Sequence, residues 1–171
     1  FVEALRLHPD FPEALNNRGK TLQSLDRPEE ALANYDRALA LKPDFAAALN
    51  NRGNTLLSLK RPVEALASLD RALALKPDDP ATLNNRGNTL LVLDRPAEAV
   101  ASFEAAIAAR PAYVDALNNL GTLLQGLGRW QDALRTGKRA VVAGPQSAVA
   151  HRLLGNALLN CGQVDLAIAE F

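Results

Sequence analysis

The chain has 171 residues, 48% of them hydrophobic, and its 19 basic and 19 acidic side chains cancel. That is enough apolar material for a packed core, whereas a net charge of zero argues against a nucleic-acid binder, which needs a basic surface to displace counterions. No apolar run approaches the roughly 20 residues that span a bilayer, no signal segment opens the sequence, and a single cysteine forms no internal disulfide, so a cytoplasmic protein without a membrane anchor is expected.

Self-similarity governs the rest. Leu-Asn-Asn-Arg-Gly occurs at 15–19, 49–53 and 83–87, Leu-Asn-Asn-Leu-Gly at 117–121, and a degenerate His-Arg-Leu-Leu-Gly at 151–155. Gly19, Gly53, Gly87, Gly121 and Gly155 are each 34 residues apart, as are Ala31, Ala65, Ala99, Ala133 and Ala167. The expected organisation is a single solenoid over 1–171: a partial repeat 1–11, whole repeats 12–45, 46–79, 80–113 and 114–147, and a partial repeat 148–171. Phe1 and Phe171 occupy the same register, both within a helix. With no methionine in the sequence, a fragment whose native repeats continue in both directions is expected.

In the partial repeat, His8 is a helix-end cation ahead of Pro9. In repeat 12–45 the first helix carries Leu15, Leu22 and Leu25 at positions 4, 11 and 14, with Gly19 at position 8 on the same face, which is an amphipathic stripe. A turn at Asp26-Arg27 follows. The second helix opens on Pro28, where no N–H is needed, has Glu30 in its first turn, favoured by the helix dipole, and stops before Pro43. Repeats 46–79 and 80–113 reproduce the pattern with Pro62, Glu64, Pro77 and Pro96, Glu98, Pro111. Lys42, Lys76 and Arg110 are placed in the last turn of each second helix. In repeat 114–147 Trp130 replaces the opening proline as a packing residue. Gly137 replaces the large residue at position 24, so looser packing is expected there. In the last repeat His151 stands at a core leucine position, and Cys161 at position 14 is expected to be a buried small hydrophobe.

Leu15, Gly19, Leu22, Ala31, Tyr35, Ala38 and Pro43 together resemble the tetratricopeptide repeat. The departures are leucine at the first two aromatic positions and arginine at position 7 in three repeats. The resemblance implies an all-α, right-handed solenoid of antiparallel helix pairs. It also implies a concave face formed by the first helices, and a protein or peptide as partner.

On the first helices, positions 2, 5, 6, 9, 12 and 13 oppose the apolar stripe. That face is rich in asparagine: Asn16, Asn17, Asn50, Asn51, Asn54, Asn84, Asn85, Asn88, Asn118 and Asn119, extended by Asn156 and Asn160. Asparagine is a mediocre helix former, but its carboxamide complements a peptide unit without burying a charge. A row of them is expected either to grip the backbone of an extended peptide or to be solvated and bonded to neighbouring helices. The row is similar to the ladder lining the superhelix of the O-linked N-acetylglucosamine transferases, whose position-6 asparagines hold substrate backbones. Asn17, Asn51, Asn85 and Asn119 match it, and Leu153 breaks the series. The carboxylate clamp of chaperone-binding tetratricopeptide domains is similar only in fold, since it needs lysine or arginine at positions 2, 5 and 6. Three functions follow as candidates: a peptide-binding scaffold, the substrate-recruiting arm of a larger glycosyltransferase, and a module that self-associates end to end through uncapped termini.

Arg18, Arg52 and Arg86 at position 7 are expected to pair inside their own repeats with Asp36, Asp70 and Glu104 at position 25. Two distant histidines support neither acid–base catalysis nor a metal site, so no enzyme, cofactor or metal is expected. Gly126-x-Gly128 and Gly137-Lys138-Arg139 lack the context of a phosphate loop.

Overall fold

The computed structural model describes residues 11–170; the expectations for Phe1, His8, Pro9 and Phe171 lie outside them. Among the described residues there are ten helices and no strand. They divide between two compact units that meet at Asp94 and Arg95 in the sequence. The first unit holds α1 (Pro12–Ser24), α2 (Pro28–Leu41), α3 (Ala46–Ser58), α4 (Pro62–Leu75) and α5 (Pro80–Val92). The second holds α6 (Pro96–Ala109), α7 (Val114–Gly126), α8 (Trp130–Ala143), α9 (Ala148–Asn160) and α10 (Val164–Glu170).

Four of the five described first helices end by one device. The N–H of Arg27 bonds back to the Leu22 carbonyl at 2.9 Å, and the same bond recurs from Arg61 to Leu56, Arg129 to Leu124 and Gln163 to Leu158. This Schellman closure needs a left-handed residue in the turn. Asp26 and Lys60 supply it with φ of 55° and 58°, and Gly128 and Gly162 with φ of 69° and 76°; Asp94, after α5, has φ of 56°. Within each unit the chain reverses at once and the second helix runs antiparallel to its own first helix. Pro28, Pro62 and Pro96 open the second helices as expected, and half-buried Trp130 opens α8. The arginine before each opening residue pairs with the first-turn acid, as Arg27 Nε and Nη2 do with Glu30 at 2.6 and 2.7 Å. Arg61 holds the Glu64 carboxyl below its usual range in the same way. These pairs are exposed, so solvent screening leaves each of them little to contribute.

Packing within each unit alternates: a first helix lies against its own second helix, and that second helix against the first helix of the following repeat. Position 8 sets the closeness. A Cβ on Gly19 would stand 2.6 Å from the Tyr35 ring, and one on Gly53 2.6 Å from Leu69. Tyr35 is fully buried, and that burial pushes its hydroxyl pKa up to about 12.

Several expectations are corrected. Position 14 is the cap residue after the helix and is packed unevenly: Leu25 is 61% exposed and Leu127 45%, whereas half-buried Leu59 lies against the core cluster of Leu32, Leu56 and Ala65. At the same position Cys161 is only half-buried. Lys42, Lys76 and Arg110 sit one residue beyond the last turn, at the C-caps. The position-7 ion pairs run between repeats rather than inside them, with Arg52 Nε on Asp36 at 2.6 Å and Arg86 Nε on Asp70 at 2.7 Å. Position 7 faces the preceding second helix, not its own.

Gly137 does not leave a loose repeat either. A Cβ there would meet Leu153 at 2.7 Å and the backbone of Leu154 at 3.1 Å. The leucine at position 6 of the following repeat has filled the space that a large residue fills elsewhere.

Candidate peptide-binding face

In the first unit the asparagines form a chain of carboxamides across neighbouring first helices. Asn51 Nδ2 donates to Asn16 Oδ1 at 2.9 Å, and Asn85 Nδ2 donates to Asn50 Oδ1 at 3.0 Å. The donor is at position 6 of the later repeat and the acceptor at position 5 of the earlier one. Asn16 and Asn84 are buried at this seam, Asn17, Asn50, Asn51, Asn85 and Asn88 are half-buried, and Asn54 is exposed. The Asn51 and Asn85 carboxamides therefore each have a nitrogen tied to a neighbour, while each group as a whole remains partly open to solvent.

A hydrophilic cavity of about 230 Å³ opens beside this ladder, lined among others by Asn16, Asn50, Asn51, Lys20 and Lys76. Asp79 also borders it, but its carboxylate caps α5, accepting from Thr82 N at 2.8 Å and from the Thr82 hydroxyl at 2.6 Å. Neither lysine has an ion-pair partner among the described residues. The sequence held a signal for Lys76. One repeat earlier, Lys42 is bonded to Glu13 at 3.0 Å and lies 5.0 Å from the Phe45 ring. The residues aligned with those two partners are Ala47 and Asp79.

In the second unit Asn118 and Asn119 are half-buried on α7, and Asn156 and Asn160 follow on α9. The ladder stops there. Leu153 takes position 6 of α9, is 2% exposed, and turns inward against Gly121 and Gly137. Asn118 Oδ1, at the acceptor position, is left buried with no partner among the described residues. His151 faces away from the core: its ring nitrogens lie 2.7 Å from Glu170 and 3.0 Å from the Pro145 carbonyl oxygen, and its pKa is raised first by that carbonyl and then by Glu170. Among the described residues no group of three or more histidine, cysteine or acidic side chains is placed to hold a metal. No described helix is long and apolar enough to cross a membrane.

Antiparallel helix pairs recurring at 34 residues, with a small residue at each close contact, define an all-α helical-repeat protein. The chain belongs to the tetratricopeptide-repeat family, whose profile matches residues 16–80, 84–148 and 120–171. Among solved structures it is similar to PilF of Pseudomonas aeruginosa, with 25% identity, a TM-score of 0.87, and coverage of 98% of this chain and 76% of that one. It is also similar to MamA of Desulfovibrio magneticus RS-1, with 23% identity, a TM-score of 0.80, and coverage of 94% and 90%. YrrB, described as a tetratricopeptide-repeat protein with an unusual peptide-binding site, is 22% identical with a TM-score of 0.76 over 99% of this chain and 87% of its own. No curated protein sequence matches the chain.

Proposed function

We propose that the chain is a protein-interaction scaffold that holds an extended peptide along the asparagine-bearing faces of its first helices. One observation carries this reading. The Asn51 and Asn85 carboxamides are each anchored through a single N–H to the preceding repeat, which leaves an oxygen and a second N–H on each. Those are the complements of a peptide N–H and carbonyl. Because they address the backbone, binding tolerates many side-chain sequences. The solved structure of YrrB supports the reading in that a protein of this fold has a peptide-binding site. The lysine-bordered cavity beside the ladder favours segments that carry an acidic residue, by charge complementarity.

The probe is a blocked, uncharged peptide of alternating threonine and alanine, titrated by calorimetry. Asn51→Ala/Asn85→Ala removes two carboxamides at roughly 1 kcal/mol each, which predicts binding about thirtyfold weaker with unchanged helicity by circular dichroism. Equal affinity in the variant overturns the proposal.

A further inference from the structure

We infer that Asn16 and Asn50 are positioning residues that fix which way the Asn51 and Asn85 carboxamides face, and so give the groove a single peptide direction. The inference rests on the groove reading above and deepens it. A carboxamide has an oxygen end and a nitrogen end of nearly equal size, and rotating it by half a turn exchanges them. In the first unit position 6 cannot make that exchange alone, because its partner at position 5 would have to turn over with it. Asn51 Nδ2 lies 2.9 Å from Asn16 Oδ1 and Asn85 Nδ2 lies 3.0 Å from Asn50 Oδ1. Turning either group over would set oxygen against oxygen at hydrogen-bonding distance. Both bonds also run the same way, from the later repeat to the earlier one. The free oxygen and the free N–H of each position-6 group therefore recur in the same order from one repeat to the next. An extended strand presents its own N–H and carbonyl groups in an order that reverses with chain direction, so one direction matches and the other does not.

An independent observation comes from the second unit. Where Leu153 removes the donor, Asn118 Oδ1 remains buried with no partner among the described residues. Position 5 is thus an acceptor set into the seam between first helices, where the neighbouring repeat and not the open groove supplies its hydrogen. A residue selected for direct contact with a ligand would not be expected to hide its only acceptor. Acting through position 6 accounts for both the bonds that are present and the one that is missing.

The test uses the full chain and two readouts. First, the side-chain NH2 signals of Asn51 and Asn85 are followed by NMR in the wild type, in Asn16→Leu/Asn50→Leu, and in Asn16→Asp/Asn50→Asp. The aspartate variant keeps an acceptor. Dispersed, slowly exchanging signals are expected in the wild type and the aspartate variant, and averaged ones in the leucine variant. Signals unchanged by leucine overturn the positioning role whether or not any peptide binds. Second, the threonine–alanine peptide carries a nitroxide at one end. In the wild type, broadening is expected at either α1 or α5 alone. In the leucine variant it is expected at both, with affinity about fivefold weaker, and the aspartate variant restores the one-sided pattern. Broadening at both ends in the wild type overturns the inference while leaving the groove reading intact. Absence of any saturable binding instead removes the groove reading, and the directional claim with it.

Discussion

The two units solve the same packing problem with different residues, and the difference shows what position 6 is for. In the first unit the space beside Gly19 and Gly53 is filled from within the repeat, by Tyr35 and Leu69. Position 6 is then released from packing, and asparagine there bonds sideways along the row of first helices. In the second unit position 24 is Gly137, the space beside Gly121 and Gly137 is open from within, and Leu153 of the next repeat closes it. Position 6 can serve the core or the row of carboxamides, and the size of one residue on the second helix of the preceding repeat decides which.

The largest effect that would break this comparison is at Leu153. Leu153→Asn supplies the donor that Asn118 lacks, worth about 1 kcal/mol, but empties a buried leucine site at about 3 kcal/mol. Urea unfolding should show a net loss of about 2 kcal/mol. Gly137→Leu alone overfills the site and should lose about 1–3 kcal/mol. The double variant should recover most of both losses, giving a coupling above about 1 kcal/mol. Additive losses would mean that the two residues do not share one space.

A smaller effect sharpens the comparison at the turns. Lys60 holds the left-handed position that Gly128 and Gly162 hold in the second unit, and the conformation disfavours a side chain by roughly 1 kcal/mol. Lys60→Gly should therefore stabilise by about that amount in the same unfolding assay. Smaller again is the pair between repeats: Arg52→Ala and Asp36→Ala should each change stability by less than about 1 kcal/mol, because the aspartate is half-exposed.

The smallest expected effect is the pH response of His151, and its sign is definite. A histidine whose pKa is raised on folding adds stability that is fully present below the unfolded value of about 6.5 and is lost as pH rises through the folded value. Thermal melts should show the second unit weakening from pH 6 towards pH 8, and His151→Leu should abolish the difference. A melt that strengthens over that range would contradict the assigned partners, the Pro145 carbonyl and Glu170.

How much of this was legible in the sequence follows from what each feature depends on. The helix pairs were, because proline, glycine and the leucine–glycine spacing act within a few residues. A 3.6-residue period places Leu15 and Asn17 on opposite sides of the first helix, but it did not show that Asn16 and Asn84, read on the asparagine face, are buried between neighbouring helices. Contacts between repeats were harder to read. The sequence aligns Arg52 with Asp70 inside one repeat just as well as with Asp36 in the one before, and only the stacking of one repeat on the next selects Asp36. Leu153 and Gly137 carried the same ambiguity: each reads alone as a departure from the pattern, and they compensate only across the repeat boundary. Leu25 and Cys161 fail for another reason, in that an apolar stripe extended one turn too far reaches the cap and no longer faces the core.

The claim at the centre of this account is that the first-unit carboxamides are free to take a peptide backbone. Titrating the blocked threonine–alanine peptide while following the asparagine side-chain signals by NMR addresses it most directly. Saturable shifts of the Asn51 and Asn85 NH2 groups that fit one affinity are expected, with Leu153 and its neighbours on α9 unmoved. Saturable binding that leaves Asn51 and Asn85 unshifted would contradict it.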